Sequence, residues 1–216
     1  MMQKPYAGED LNHSGEKMTQ DSGKKSSGGA DHGALELLVE QATQSEDPHV
    51  RRYALFVLGR TGDPRLKELF LSALRDTDKA CRAQAAAALI GLGDTIVPDL
   101  VSLLSDADWR VRYRAAEALG EIGNRASAGA LVRALSDKKD HVRYMAAKGL
   151  GRTGNSGAVP ALVGCLEDEN PYVRKAAVLS LGKLGNSHIR DVVRKHLDRE
   201  GTDFVREAIR NVLSGE

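Results

Sequence analysis

The residue of this sequence that is best suited to binding or catalysis is an arginine that recurs at regular intervals. Its guanidinium group can bind carboxylates and phosphates. It occurs six times, 30 to 32 residues apart, each time directly after a small apolar residue. A catalytic arginine is needed once in a chain, whereas an arginine used in packing recurs with the repeat. The regular spacing therefore predicts a structural role for all six, which are Arg51, Arg82, Arg112, Arg143, Arg174 and Arg206.

The histidines lack the spacing that a metal site requires. His49 and His141 occupy the same position in two repeats that are three repeat lengths apart. At roughly 10 Å per stacked layer, they are too distant to share one ion. His188 and His196 are eight residues apart with no pair of carboxylates beside them. We therefore expect no metal and no cofactor.

The two cysteines and the glycine-rich segments also favour packing over catalysis. Cys81 stands where the other five repeats have valine, and Cys165 lies at an apolar position. Neither has a histidine at a spacing typical of a nucleophilic cysteine. The glycine-rich segments 59–62 and 151–154 follow predicted helices rather than strands, so they are not expected to bind phosphate. The sequence thus predicts no catalytic residue and no enzyme.

The helices that position these residues follow from the repeat itself. Counted from the apolar residue before each arginine, which we call the anchor, alanine stands four residues on in five repeats and leucine eight residues on in all six. Residues at this spacing share one face of a helix, so they form its buried stripe. Twelve residues after the anchor, five repeats have a glycine, which ends a helix in the left-handed conformation at little cost. These glycines are Gly62, Gly93, Gly123, Gly154 and Gly185.

A shorter amphipathic pattern precedes each anchor, as in residues 158–166, so each repeat is a helical hairpin of about 31 residues. A single hairpin cannot bury both of its faces, and neighbouring hairpins must therefore stack. No strand pattern occurs in the sequence. The fold class predicted is all-α, a right-handed α-solenoid (alpha-alpha superhelix) of six hairpins. Their approximate boundaries are 31–62, 63–93, 94–123, 124–154, 155–185 and 186–216.

Residues 1–30 differ from the repeats in composition. They are rich in glycine, serine and alternating charges and have few apolar residues, which predicts a disordered tail. The whole chain has a formal net charge of +1 and only two cysteines. It also has no apolar run long enough to span a membrane. This composition predicts a cytoplasmic protein that does not bind membranes.

Two segments of the chain carry a resemblance to a known family. Residues 108–124 (DWRVRYRAAEALGEIGN) and 170–186 (NPYVRKAAVLSLGKLGN) closely resemble the HEAT-like repeat of the phycobilisome lyase type. The resemblance covers residues 34–216 and implies that the second helices line a concave surface. It also implies a ladder between repeats, in which the recurring arginine pairs with an aspartate before the second helix. That position holds Asp47, Asp78 and Asp108, but later Lys139, Asn170 and Thr202, so the ladder is expected to weaken toward the C-terminus.

Function in a repeat protein is expected where the repeats differ on an exposed face. At about 100° per residue, positions 2, 3, 6 and 10 after the anchor lie opposite the buried stripe. Over all six repeats these four positions carry seven positive charges, three negative charges (Glu117, Glu121 and Glu207) and four of the nine aromatic residues of the chain. Exposed tyrosine and arginine are enriched at interface hot spots. The candidate partner-binding residues, which we call the predicted strip, are Arg52, Tyr53, Phe56, Arg60, Tyr113, Arg114, Glu117, Tyr144, Met145, Lys148, Arg152, Lys175, Leu179 and Lys183.

These features predict a non-catalytic scaffold that holds a protein or peptide of acidic or mixed charge in the concave groove. The scaffold itself is expected to be a monomer or a weak oligomer. Two alternatives remain open. The cations and aromatic residues of the strip also suit a nucleic acid, although acidic residues interrupt them. The family resemblance alone implies the other alternative, an enzyme subunit of the bilin lyase type.

Overall fold

The computed structural model describes residues 28–185 and 187–215, and in this part of the chain it is helical without strands. The predicted tail lies outside the described residues except for Gly28–Ala30, which already belong to the first helix. Twelve α-helices pair into six antiparallel hairpins. In chain order they are α1 (Gly28–Gln44), α2 (Pro48–Arg60), α3 (Lys67–Ala73), α4 (Lys79–Gly91), α5 (Val97–Leu103), α6 (Trp109–Ile122), α7 (Ala128–Ala134), α8 (Asp140–Thr153), α9 (Val159–Gly164), α10 (Pro171–Leu184), α11 (Ser187–Leu197) and α12 (Asp203–Ser214).

The even-numbered second helices begin where the sequence supplies a capping side chain. Asp47, Asp78, Asp108 and Asn170 each accept a backbone N–H from the first turn of the helix that follows. Such caps satisfy donors that the helix itself leaves unpaired. Short 3₁₀ turns lead into α3, α5, α7 and α9, and one more follows α9. The turns span Pro64–Leu66, Gly93–Ile96, Arg125–Ser127, Ser156–Ala158 and Cys165–Glu167.

Glycine ends the hairpins as the spacing predicts in four of the five repeats. Gly62, Gly93, Gly123 and Gly154 all have φ between 63° and 70°, in the left-handed region. The prediction is wrong for Gly185, which has φ −66° and ψ 144°. Its backbone is extended, so α10 does not end at a left-handed glycine.

The core lies between the two helices of each hairpin and continues from one hairpin to the next. The leucines eight residues after the anchor are fully buried in five repeats, as the periodicity predicts. Consecutive second helices pack directly on one another, whereas consecutive first helices have far fewer close approaches. The chain is therefore an all-α solenoid whose second helices are its most closely spaced elements.

Glycine also determines how closely consecutive second helices approach each other. The sequence pattern did not predict this role. A Cβ added to Gly120 of α6 would lie 2.6 Å from the Cα of Gly149 in α8. Gly59, Gly151 and Gly182 occupy the same position, nine residues after the anchor, and contact the following second helix in the same way. The α4 helix has isoleucine at this position, and its packing on α6 is less close than that of neighbouring pairs.

No single helix within residues 28–185 and 187–215 is both long and apolar enough to cross a membrane. Jointly, Lys79–Gly91 and Gly93–Leu103 reach that length and hydropathy, but the two segments meet at a bend of 118°.

Candidate partner-binding surface

Most of the predicted strip faces solvent, and the exceptions share one position. Residues two, six and ten positions after the anchor are exposed or half-buried in every repeat where they belong to the predicted strip. Arg114 and Met145, three positions after the anchor, are buried at 8% and 7% exposure, so their expected solvent exposure is wrong. This position packs against the preceding second helix. Tyr53 is 66% exposed at the equivalent position, because α2 has no second helix before it among the described residues.

Two of the three acidic residues at the strip positions, Glu117 and Glu121, are paired with neighbouring arginines. Arg114 donates a hydrogen bond of 2.6 Å from Nη1 to Glu117 in the same helix. Arg152 of α8 donates one to Glu121 of α6. Within the described residues, five strip cations have no ion pair, so the free charge of the strip is mainly positive. These cations are Arg52, Arg60, Lys148, Lys175 and Lys183.

The arginine ladder is present, but its carboxylates are not the ones expected. In four repeats the Nε and Nη2 atoms of the arginine donate to one carboxylate of the next repeat, at 2.6 to 2.9 Å. That carboxylate stands five residues before the next anchor. The expected partners, three residues before it, cap the second helices instead. The ladder pairs are Arg51–Asp76, Arg112–Asp137, Arg143–Asp168 and Arg174–Glu200.

The prediction that the ladder weakens toward the C-terminus is also wrong, because its break lies near the N-terminus. Arg82 donates from Nη1 to the carbonyls of Asp76 and Thr77, at 2.6 and 2.8 Å. Its Nε and Nη2 atoms make no hydrogen bond to any described residue. The carboxylate at the ladder position, Asp106, pairs with Arg75 instead. The joint between α4 and α6 is thus the one that lacks both the close glycine and the ladder pair.

A cavity of about 240 Å³ opens at this joint, and we call it the Trp109 cavity. The guanidinium of Arg110 and the ring of His141 each lie 5.5 Å from the centre of the Trp109 ring. Partial burial raises the pKa of Tyr113 in the same wall. The cavity thus combines aromatic surface with four cationic side chains. Its complete lining is Lys79, Arg82, Trp109, Arg110, Tyr113, Arg114 and His141.

A second cavity, of about 390 Å³, adjoins the first and shares His141 with it; we call it the Tyr172 cavity. Its walls are mainly the rings of Tyr144 and Tyr172, with no lysine or arginine among them. Asp140 contacts His141 Nδ1 at 2.7 Å, and this hydrogen bond lowers the pKa of the Asp140 carboxyl. Asn170 also donates to Asp140. The carboxylate of this cavity is therefore already engaged by the protein's own side chains.

Part of this surface follows from the sequence pattern, and part does not. Tyr113, Arg114 and Tyr144 are strip residues that line the two cavities. Lys79, Arg82 and Arg110 were not expected there, because they lie at the starts of second helices, outside the angular range of the strip. The available signal was the row of aromatic residues at the same helix starts, Trp109, Tyr172 and Phe204.

Neither cysteine is poised for nucleophilic chemistry. Burial raises the pKa of the Cys81 thiol to about 11, and the thiol donates to the carbonyl of Pro48 at 3.2 Å. Burial likewise raises the pKa of Cys165 to about 11. At neutral pH both therefore carry their protons, and the thiolate is the reactive form. They act as small core residues, in agreement with their positions in the repeat.

One histidine is in a different setting from that expected. His196 Nε2 lies 3.4 Å from Glu200, and its Nδ1 lies 3.6 Å from Glu167 of the preceding repeat. The expectation of no carboxylate pair beside it is wrong, because Glu167 reaches it from another hairpin. In the described part of the chain, no group of three or more histidine, cysteine, aspartate or glutamate side chains is arranged to hold a metal ion.

Comparison with known proteins agrees with this architecture. A family model described as HEAT repeats matches residues 35–97, 68–145, 97–167 and 130–214. No curated protein matches the sequence. The complex of CpcE and CpcF of phycocyanin lyase from Nostoc sp. PCC7120 is similar at 23% identity and a TM-score of 0.66, over 69% of this chain and 99% of that chain. A designed armadillo repeat protein in complex with the peptide (KR)4 is similar at 20% identity and a TM-score of 0.53, over 83% and 98%. At these identities the likeness is one of fold.

Proposed function

The chain belongs to the HEAT repeat family, and from this premise we propose that it is a non-catalytic scaffold whose second helices bind a protein or peptide of acidic or mixed charge. HEAT and armadillo solenoids are typical interaction folds, and the designed armadillo protein holds a peptide. Fold alone does not decide function, which depends on the surface that the fold presents. The exposed residues of this chain's own second helices are therefore what support a binding role.

The observation that carries the proposal is the state of the charges on the predicted strip. Glu117 and Glu121 are neutralised by arginines of the protein itself. Lys148, Lys175 and Lys183 form no ion pair with any described residue. A row of unpaired lysines beside exposed or half-buried tyrosines attracts acidic groups and supplies apolar contact area. The surface thus favours a partner whose acidic residues alternate with apolar ones.

The proposal is tested by selecting binders from a random dodecapeptide library on the full chain. We expect the selected peptides to be enriched in aspartate and glutamate. The combined variant Lys148→Glu, Lys175→Glu and Lys183→Glu should bind them at least about tenfold more weakly, because like charges now face each other. The matched control is Arg125→Glu, Lys138→Glu and Lys195→Glu, three exposed cations outside the second helices, which should bind normally.

Two results would contradict the proposal. One is a selection that yields no enrichment in acidic residues, and the other is equal binding by the strip variant and the control variant. A nucleic-acid binder would instead bind fluorescein-labelled single-stranded RNA of mixed sequence, with an affinity that falls steeply as salt rises. The bilin lyase alternative rests on likeness of fold, and titration with biliverdin tests it through changes in the visible spectrum.

A further inference from the structure

We propose that the Trp109 cavity binds a carboxylate side chain of the partner, and that the neighbouring Tyr172 cavity binds an apolar side chain about three residues away in the same peptide. This inference deepens the proposed function and rests on it. It assigns to the joint between α4 and α6 a role that neither the repeat pattern nor the predicted strip contains.

The Trp109 cavity carries positive charge that the protein itself leaves largely unpaired. Lys79 has no ion pair with any described residue, and Arg110 lies 3.7 Å from its nearest carboxylate, that of Asp108. Of the cavity's four cations, only Arg114 has a close carboxylate partner, Glu117 at 2.6 Å. The cavity is therefore positive overall, and a carboxylate placed in it gains attraction that its walls do not already satisfy.

One edge of the Arg82 guanidinium, formed by Nε and Nη2, makes no hydrogen bond to any described residue. In four other repeats the same Nε and Nη2 atoms hold a carboxylate through two parallel hydrogen bonds. Paired bonds of this kind are the strongest that guanidinium groups make with carboxylates. Arg82 lines the cavity and is already oriented by its bonds to the carbonyls of Asp76 and Thr77. A carboxylate from a partner can thus be bound in the way that the protein binds its own.

The two cavities contrast in the chemistry of their walls. The Tyr172 cavity is walled by aromatic rings and contains no lysine or arginine. Its one acidic side chain, Asp140, is engaged by His141 and Asn170. Because successive helices are spaced by roughly 10 Å, the two cavities are separated by about one turn of polyproline II chain, whose three residues rise about 3.1 Å each and bring the side chain back to the same face. The pair therefore fits an acidic residue and an apolar residue with two residues between them.

The same contrast favours a peptide over a nucleic acid. A nucleic acid carries a phosphate at every nucleotide, and its binding requires a positive groove that follows the whole backbone. Here the positive cavity is followed by one without cations that contains the carboxylate of Asp140. A volume of about 240 Å³ also suits one side chain rather than a strand.

The test uses the intrinsic fluorescence of the full chain, because Trp109 is its only tryptophan. The probe is the acetylated and amidated peptide Gly-Glu-Ser-Ser-Leu-Gly, together with its sequence reversal, since chain direction is open. The control peptides have glutamine in place of glutamate. We expect a saturable change of the Trp109 emission with at least one acidic peptide and none with the glutamine peptides.

Variants distinguish this site from the rest of the strip. The combined variant Lys79→Gln and Arg110→Gln removes two exposed cations of the cavity and should weaken binding by about tenfold. Arg125→Gln with Lys195→Gln is the matched control and should bind normally. Arg82→Lys should also weaken binding, because lysine lacks the paired donors. Far-UV circular dichroism and thermal unfolding establish that each variant is folded.

Three other outcomes would contradict the cavity assignment, the proposed function and the partner class, respectively. If acidic peptides from the library bind the chain without changing Trp109 emission, and the variant with Lys79→Gln and Arg110→Gln binds them normally, the cavity assignment is wrong while the proposed function stands. If no acidic peptide binds the wild-type chain, the proposed function fails with it. If single-stranded DNA of mixed sequence changes Trp109 emission at lower concentration than any acidic peptide, the partner class is wrong.

Discussion

Each arginine of the ladder performs two tasks with one guanidinium group. Its Nη1 atom donates to carbonyls of the loop before its own helix, as Arg174 does to Asp168 at 2.8 Å. Its other edge binds a carboxylate of the next repeat, Glu200 in this case. The Glu200 side chain is 1% exposed, so water screens this pair little. Removing one member would leave a buried charge without its partner, which is strongly destabilising.

Substituting Glu200→Gln should therefore make stability depend less on pH. Hydrogen bonds from Arg174 lower the pKa of Glu200 from 4.5 to about 2. Because the folded value is the lower one, its stabilisation is fully present above pH 4.5 and is lost as the pH falls toward 2. We expect the variant to lose about 2–3 kcal/mol of unfolding free energy at pH 7 and almost none near pH 2.

Urea unfolding followed by circular dichroism across this pH range measures the difference. Glu46→Gln, which changes an exposed carboxylate without an ion pair in the described structure, is the control and should follow the wild-type curve. A constant gap between wild type and Glu200→Gln at all pH values would show that the loss comes from packing rather than from charge.

At the scale of the helices, the sequence predicts what lies within a repeat better than what lies between repeats. The hairpins, the buried leucines and the helix ends at Gly62 and Gly123 follow from a period that each repeat contains in full. The ladder carboxylates and the contact of Gly120 with Gly149 were missed. Those contacts depend on how one second helix is rotated and shifted against the next, and no spacing within a single repeat contains that information.

Gly120→Ala tests the close approach of α6 and α8. The added Cβ would lie 2.6 Å from the Cα of Gly149, so backbone must move to accommodate it. Overpacking of this kind costs about 1–3 kcal/mol of unfolding free energy. Gly129→Ala in α7 is the control, because no heavy atom lies within 4 Å of its Cβ position. The control should be neutral or stabilising by up to about 1 kcal/mol.

Thermal and urea unfolding of the two alanine variants give the comparison directly. If both variants change the free energy of unfolding by the same amount, the effect of Gly120→Ala would come from helix propensity alone. The close spacing of α6 and α8 would then not depend on Gly120.

At the scale of the whole molecule, the candidate site and the least closely packed joint coincide. The Trp109 cavity has its walls on both sides of the joint between α4 and α6, where isoleucine replaces glycine and Arg82 lacks its carboxylate. The sequence predicted the exposed tyrosines and lysines, because those follow from angles around one helix. It did not predict the cavities, because they exist only between helices of successive repeats. Because this repeat is irregular, the Nε and Nη2 atoms of Arg82 are available to a partner, whereas in the regular repeats the same atoms bind a carboxylate of the next repeat.

This coincidence predicts that completing the ladder should close the site. Arg75 holds Asp106 at present, and Arg75→Gln releases that carboxylate. Asp106 then becomes available to Arg82, as Asp137 is to Arg112. We expect amide hydrogen exchange in α4 and α6 to slow, since the two repeats gain a bridging pair. We also expect the acidic peptide to change Trp109 emission only at severalfold higher concentration, because Asp106 competes with it for the same guanidinium edge.

The control for this prediction is Arg65→Gln, which removes an exposed arginine whose carboxylate partner, Asp63, lies in its own loop. Its exchange and peptide binding should match the wild type. Faster exchange in α4 and α6 of Arg75→Gln would mean that Arg75 itself joins the two repeats. Unchanged peptide binding in Arg75→Gln, together with slower exchange, would mean that the peptide carboxylate is held by Lys79 and Arg110 without Arg82. The two measurements on one variant therefore separate the contribution of the ladder to cohesion from its contribution to recognition.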